Sequence, residues 1–129
     1  MAGSSMELHE RQEDLSPETI DRHRATVSLL EELEAVDWYD QRAEAASDDA
    51  LRDILLHNRN EEMEHAAMVL EWLRRHNPVM DQQLKTYLFT AGPITGVEAA
   101  AVGGGEEAGE SDPKDGSLGI GSLKAGAEP

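Results

Sequence analysis

Three side chains in this sequence have the types and spacing to hold a metal. Glu62 and His65 form a Glu-x-x-His pair, three residues apart and therefore on one face of a helix. A carboxylate oxygen beside an imidazole nitrogen suits a first-row divalent cation. With no sulfur in the set, Fe(II), Mn or Zn fits better than copper(I). The pair interrupts a heptad: Leu51, Leu55, Asn58, Glu62, His65, Val69, Trp72 and His76 alternate in steps of four and three, the seam of a packed helix. Apolar residues hold the seam on both sides of a polar centre. A carboxylate there loses hydration, at a cost of several kcal/mol, unless a cation or a proton compensates it. Upstream, Leu29, Glu32, Val36 and Tyr39 share a second helical face, so Glu32 is another carboxylate inside an apolar stripe.

The neighbouring acids read differently. Glu31 and Glu34, three residues apart beside Trp38, form a possible outer cation-collecting site, whereas Asp37 and Asp40 read as a solvated face. His9, His23, His57 and His76 have no ligand pattern, and Trp72 reads as a core or interface residue. No glycine-rich phosphate loop or Ser/His/Asp arrangement is present as a pattern.

The elements that must position these residues are helices. Ser16-Pro17-Glu18 reads as an N-cap, a proline at the first helical position and an early acid. A first helix is predicted from about Pro17 to about Ala46, and Ser47-Asp48-Asp49 turns the chain and caps a second that ends near Arg75. Each spans about 42 Å at 1.5 Å per residue, and the short connection makes them an antiparallel hairpin. Asn77-Pro78 restarts a short third helix with Met80, Leu84, Tyr87 and Leu88 on its apolar face, and Gly92-Pro93 stops it. Thr95 to Ala101 adds one or two further helical turns.

The organisation expected is a flexible arm over 1–15, a helical domain over 16–101, a disordered linker over 102–115 and a short apolar peptide over 116–124. In that last segment Leu118, Ile120 and Leu123 cannot build a core, but they can fill pockets on another protein.

Composition narrows the partners. The chain has 129 residues and a net charge of -16, so nucleic acid and anionic membrane surfaces are poor partners and cations good ones. It contains no cysteine, which removes disulfides, thiolate zinc sites and iron–sulfur clusters and suits a reducing cytoplasm. No signal pattern or spanning apolar run is seen, so a soluble cytoplasmic protein is expected.

A two-helix hairpin cannot bury two apolar faces, and a di-metal carboxylate site takes ligands from four helices: a glutamate from each of two and a Glu-x-x-His from each of the others. One copy offers Glu32 and Glu62-x-x-His65. Two copies about a two-fold axis complete the set, with the metals at an isologous interface. The predicted fold is all-α, with two long antiparallel helices plus a short C-terminal helix, a four-helix bundle formed by dimerisation and a disordered C-terminal tail. Metal binding should then promote assembly.

At this point the chain resembles the encapsulated ferritins, half-length ferritin-like proteins carried inside encapsulin shells. The resemblance runs from about Thr19 to Ala99 and is dense in Glu31-Glu32-Leu33-Glu34-Ala35-Val36-Asp37-Trp38-Tyr39-Asp40, Glu61-Glu62-Met63-Glu64-His65-Ala66-Ala67-Met68 and Tyr87-Leu88-Phe89-Thr90. Gly116 to Lys124 is similar to the peptide by which cargo docks on the inner shell wall, through Leu118, Ile120 and Leu123 here. The resemblance implies a ferroxidase centre of Glu32, Glu62 and His65 shared between two chains, with Tyr39 close to it and Glu31, Glu34 and Trp38 as an outer metal site. It also implies a homodimer assembling into a ring, a di-iron pair for which other divalent cations can substitute, and residence inside an encapsulin nanocompartment. Two other readings compete: a structural cargo protein whose metal cements the dimer, and a di-iron oxidase or peroxidase.

Overall fold

The computed structural model describes residues 6–111, which contain helices and no strand, the all-helical class expected. The chain divides into two compact units at the His76–Asn77 junction.

The first unit is the hairpin. Helix α1 spans Pro17–Ala45 and α2 spans Asp49–Arg75. Both begin where local chemistry favours it. Ser16 Oγ accepts from the Thr19 N–H at 3.1 Å with Pro17 behind it, and Asp48 Oδ2 accepts from the Leu51 N–H at 2.8 Å. Each cap satisfies a backbone donor that the helix cannot, worth about 1 kcal/mol. At the far end of α2, Glu71 accepts from Arg74 and Arg75, whose guanidinium groups hold its carboxyl down at about 2. Those two cations also oppose the negative end of the helix dipole.

Residues 46–48 join the helices, and Arg52 ties the joint from α2. Its Nε donates to the Ala43 carbonyl at 3.1 Å and Nη2 donates to the Ala46 carbonyl, while Nη1 meets Asp49 Oδ1 at 2.7 Å. These are the carbonyls that the end of α1 leaves without an intrahelical donor.

Between the helices the packing is thin. Among the described residues the fully buried apolar side chains are Ile20, Ala43, Ala66 and Leu73, while Leu33, Leu51, Ile54, Met63 and Met68 stay exposed. The stripe of Leu29, Glu32, Val36 and Tyr39 is only half-buried. Two helices can cover one side of each other; the opposite sides remain open.

In the second unit, Asn77 Oδ1 caps α3 (Pro78–Tyr87) by accepting from the Met80 N–H at 3.0 Å. The chain then turns through Phe89, at φ 62°, and Gly92, at φ 84°. The left-handed region is open to glycine but costs a bulky residue about 1–3 kcal/mol, and Phe89 is held there while 96% exposed. Helix α4 follows over Ile94–Ser111.

Two sequence expectations differ here. The arm before α1 contains a 3-10 turn, Gln12–Asp14, with Arg11 Nε bonded to Asp14 Oδ2 at 3.1 Å. The expected linker carries helical backbone as far as Ser111. Its glycines each cost about 1 kcal/mol in a helix. However, Ala99-Ala100-Ala101 and Glu106-Glu107-Ala108 are strong helix formers and no proline lies between Pro93 and Pro113. Residues 112–129, with Leu118, Ile120 and Leu123 in the 116–124 segment, lie outside the described residues. Among those described, no helix is long and apolar enough to cross a membrane.

Candidate metal centre

Register brings the site together. Arg59 Nη1 on α2 meets Asp40 Oδ1 on α1 at 2.8 Å, so these two residues lie level in the hairpin. Glu32 lies eight residues before Asp40 and His65 six after Arg59, which sets them at nearly the same height. His65 Nδ1 stands 3.5 Å from Glu32 Oε1 and 3.4 Å from Glu62 Oε1. One ligand atom from each of the three lies within 4.8 Å of the others, and this is the sole such metal-capable group among the described residues. The three residues singled out from the sequence are therefore the three that converge.

The site is half-open. The side chains of Glu32 and Glu62 are 25% exposed and that of His65 42%. The hydrogen bond between the two carboxyls is the main reason that Glu32 has a raised pKa, with burial and the charge of Glu62 adding to it; His65 works the other way. For His65, lost hydration disfavours the imidazolium, but the facing Glu32 and Glu62 outweigh it and raise its pKa above 6.5. Two carboxyls and an imidazole thus compete for protons in the space a cation would neutralise. Oxygen and nitrogen donors without sulfur fit a ferrous or similar divalent ion.

That arrangement fixes a pH dependence. Metal ligands must be deprotonated, and both raised values mean that the metal-free site keeps protons that a bare glutamate or histidine would release. Binding of Zn(II) or Co(II) should strengthen as pH rises through the raised His65 value, with protons expelled. Calorimetry in two buffers of different ionisation enthalpy measures that release. Without metal, the stabilisation from the two raised groups is fully present below their unfolded values and is lost as pH rises through the folded ones. The melting temperature of the apo protein should therefore fall as pH rises from the ordinary histidine value of 6.5 through the raised value of His65, and added metal should restore it.

The surrounding residues divide. Tyr39 is half-buried, and the Arg42 guanidinium lies 5.7 Å from its ring centroid and 6.0 Å from that of Trp38. Glu31, Glu34 and Trp38 are all exposed on α1, and they join no three-residue metal-capable cluster. Asp40, read from sequence as solvated, holds Arg59. His76, which showed no pattern, stacks on Trp72 with centroids 3.8 Å apart, and its Nδ1 lies 2.8 Å from the Trp72 carbonyl. The Asp40–Arg59 contact carries no periodic signal, because long side chains choose partners after the helices have met, whereas Trp72 and His76 stand four apart on one helix face, a spacing that could have shown the stack.

Comparison with known proteins gives the same outline. An encapsulated ferritin-like protein of Rhodospirillum rubrum is 58% identical over 132 residues, covering 98% of this chain and 94% of its own. A ferritin-like protein of Thermotoga maritima is 50% identical over 117 residues, covering 91% of this chain and 97% of its own. A Nitrosomonas europaea protein of known crystal structure superposes with a TM-score of 0.66 at 59% identity, over 67% of this chain and 96% of that one. The EncFtn-like family model matches residues 7–91, a span that contains both long helices and all three converging residues. The chain belongs to the EncFtn-like family.

Proposed function

We propose that the protein is a ferroxidase: Fe(II) binds between two copies, O2 accepts its electrons, and Fe(III) passes on to mineralise inside an encapsulin shell. The observation that carries this reading is the convergence of Glu32, Glu62 and His65 within 4.8 Å, half of a di-metal ligand set. Two copies supply the whole set. The protein contributes spacing, charge neutralisation and a partly apolar surround, while the iron, as substrate, supplies the redox chemistry. Tyr39 stands near on α1, and Glu31, Glu34 and Trp38 act as an outer site that collects incoming cations. The relative named as encapsulated supports a shell as partner, with residues 116–124 as the docking peptide and a ring of dimers as the docked body.

Anaerobic loading with Fe(II) followed by oxygen tests the activity. Oxygen consumption in fixed ratio to iron, blocked by prior Zn(II), is expected. Metal binding without oxidation would favour a structural cargo protein. Oxidation that turned over only with an organic substrate or peroxide would favour an oxidase or peroxidase.

Assembly should be linked to metal, because the apo interface would face like-charged carboxylates across the axis. Sedimentation of the apo protein should shift toward monomer, and Fe(II) or Co(II) should restore dimers and larger rings. Identical profiles with and without metal would count against a shared site.

A further inference from the structure

The seam of α2 holds a polar residue that the metal ligand set does not use. Asn58 is half-buried one helical turn before Glu62, and its side-chain amide makes no hydrogen bond to any described residue. It stands on the side of α2 that carries Glu62 and His65, four and seven residues further along the helix. A seam asparagine costs stability and is the polar residue that most often fixes register between helices. Within one copy Asn58 fixes nothing.

The seam is symmetric about the gap between Met63 and Glu64. Moving outward, Glu62 mirrors His65, Asn58 mirrors Val69, Leu55 mirrors Trp72 and Leu51 mirrors His76. A run of alternating fours and threes that begins and ends on the same step has a centre of symmetry; here it falls between Glu62 and His65. If α2 packs antiparallel on the same helix of a second copy, as the shared-centre reading requires, each residue faces its mirror position. Asn58 then faces the partner's Val69, with the partner's His65 one turn away, within reach of an amide side chain.

His65 needs such a neighbour. Its Nδ1 faces the carboxylates, which leaves Nε2 to find an acceptor, and none is seen among the described residues. Metal-ligating histidines almost always donate their second ring N–H to an acceptor that sets tautomer and orientation. We propose that the side-chain oxygen of Asn58 accepts from the Nε2–H of the partner's His65, making Asn58 a positioning residue for the shared centre and the device that fixes the dimer's register. This rests on the reading of a metal site shared between two copies.

The test uses the full chain with Co(II) as probe, read by calorimetry, by the visible ligand-field spectrum and by sedimentation. Asn58→Ala and Asn58→Leu should lose about 10- to 100-fold in Co(II) affinity and show a changed spectrum, with helicity retained. Asn58→Asp keeps an acceptor and should recover most of the affinity and the wild-type spectrum, which a purely packing role would not explain. Unchanged affinity and spectrum in both apolar variants would overturn the assignment of Asn58 while leaving the shared centre standing. If the wild type itself bound Co(II) without dimerising, the shared-centre reading would fail, and the role of Asn58 with it.

Discussion

Replacing Glu62 with alanine should abolish most Fe(II) oxidation while leaving the helices intact. Glu62 lies 3.4 Å from His65 and is the main cause of the raised Glu32 pKa, so its loss removes one of three converging groups and alters the other two. In a two-fold site the substitution also counts twice, deleting two of four carboxylates. Losing even an outer-shell partner of a metal ligand costs about 10–100-fold, so a fall of more than about 100-fold in oxidation rate is expected. Alanine is the strongest helix former, and far-UV circular dichroism should not change. Oxidation by Glu62→Ala at near the wild-type rate would remove the assignment.

The second large effect concerns the far end of the chain. Ending it after Gly116 should leave oxidation and assembly unchanged and eliminate packaging into a co-expressed encapsulin shell. Leu118, Ile120 and Leu123 are the only large apolar residues after Val102. Burying all three contributes about 4–6 kcal/mol before ordering costs. One such tail binds weakly, but many tails on the proposed ring would share an effective concentration that raises overall avidity by orders of magnitude. Shell fractions isolated after co-expression give the measurement as a cargo-to-shell ratio. A truncated chain recovered at the full-length ratio would show that the apolar triplet has another partner.

The parts of this fold that were legible in the sequence are those governed by local rules. Ser16 and Asp48 cap where side-chain oxygens meet orphaned N–H groups, and Pro17 and Pro78 open helices where a missing donor does no harm. The convergence of Glu32 with Glu62 and His65 was legible because two uninterrupted helices and a short joint leave little freedom in their relative height. What escaped was set by long side chains or by weighing one composition against another. Arg52 reaches back to the Ala43 and Ala46 carbonyls, and Arg59 reaches Asp40, through rotamers with no sequence period. The extension of α4 to Ser111 escaped because glycine content argued against a helix that alanine and glutamate favoured. The apolar stripes are half-buried because two helices can cover only one side of each other.

The scarcity of buried apolar side chains, Ile20, Ala43, Ala66 and Leu73 among the described residues, has a consequence for the protein's life in the cell. On the shared-site reading proposed above, a newly made copy that has not found its mate presents open apolar faces and a backbone held by little tertiary packing, the kind of species that proteases and chaperones remove first. Pairing would remove it from that pool, and abundance would then follow the encounter rate between copies.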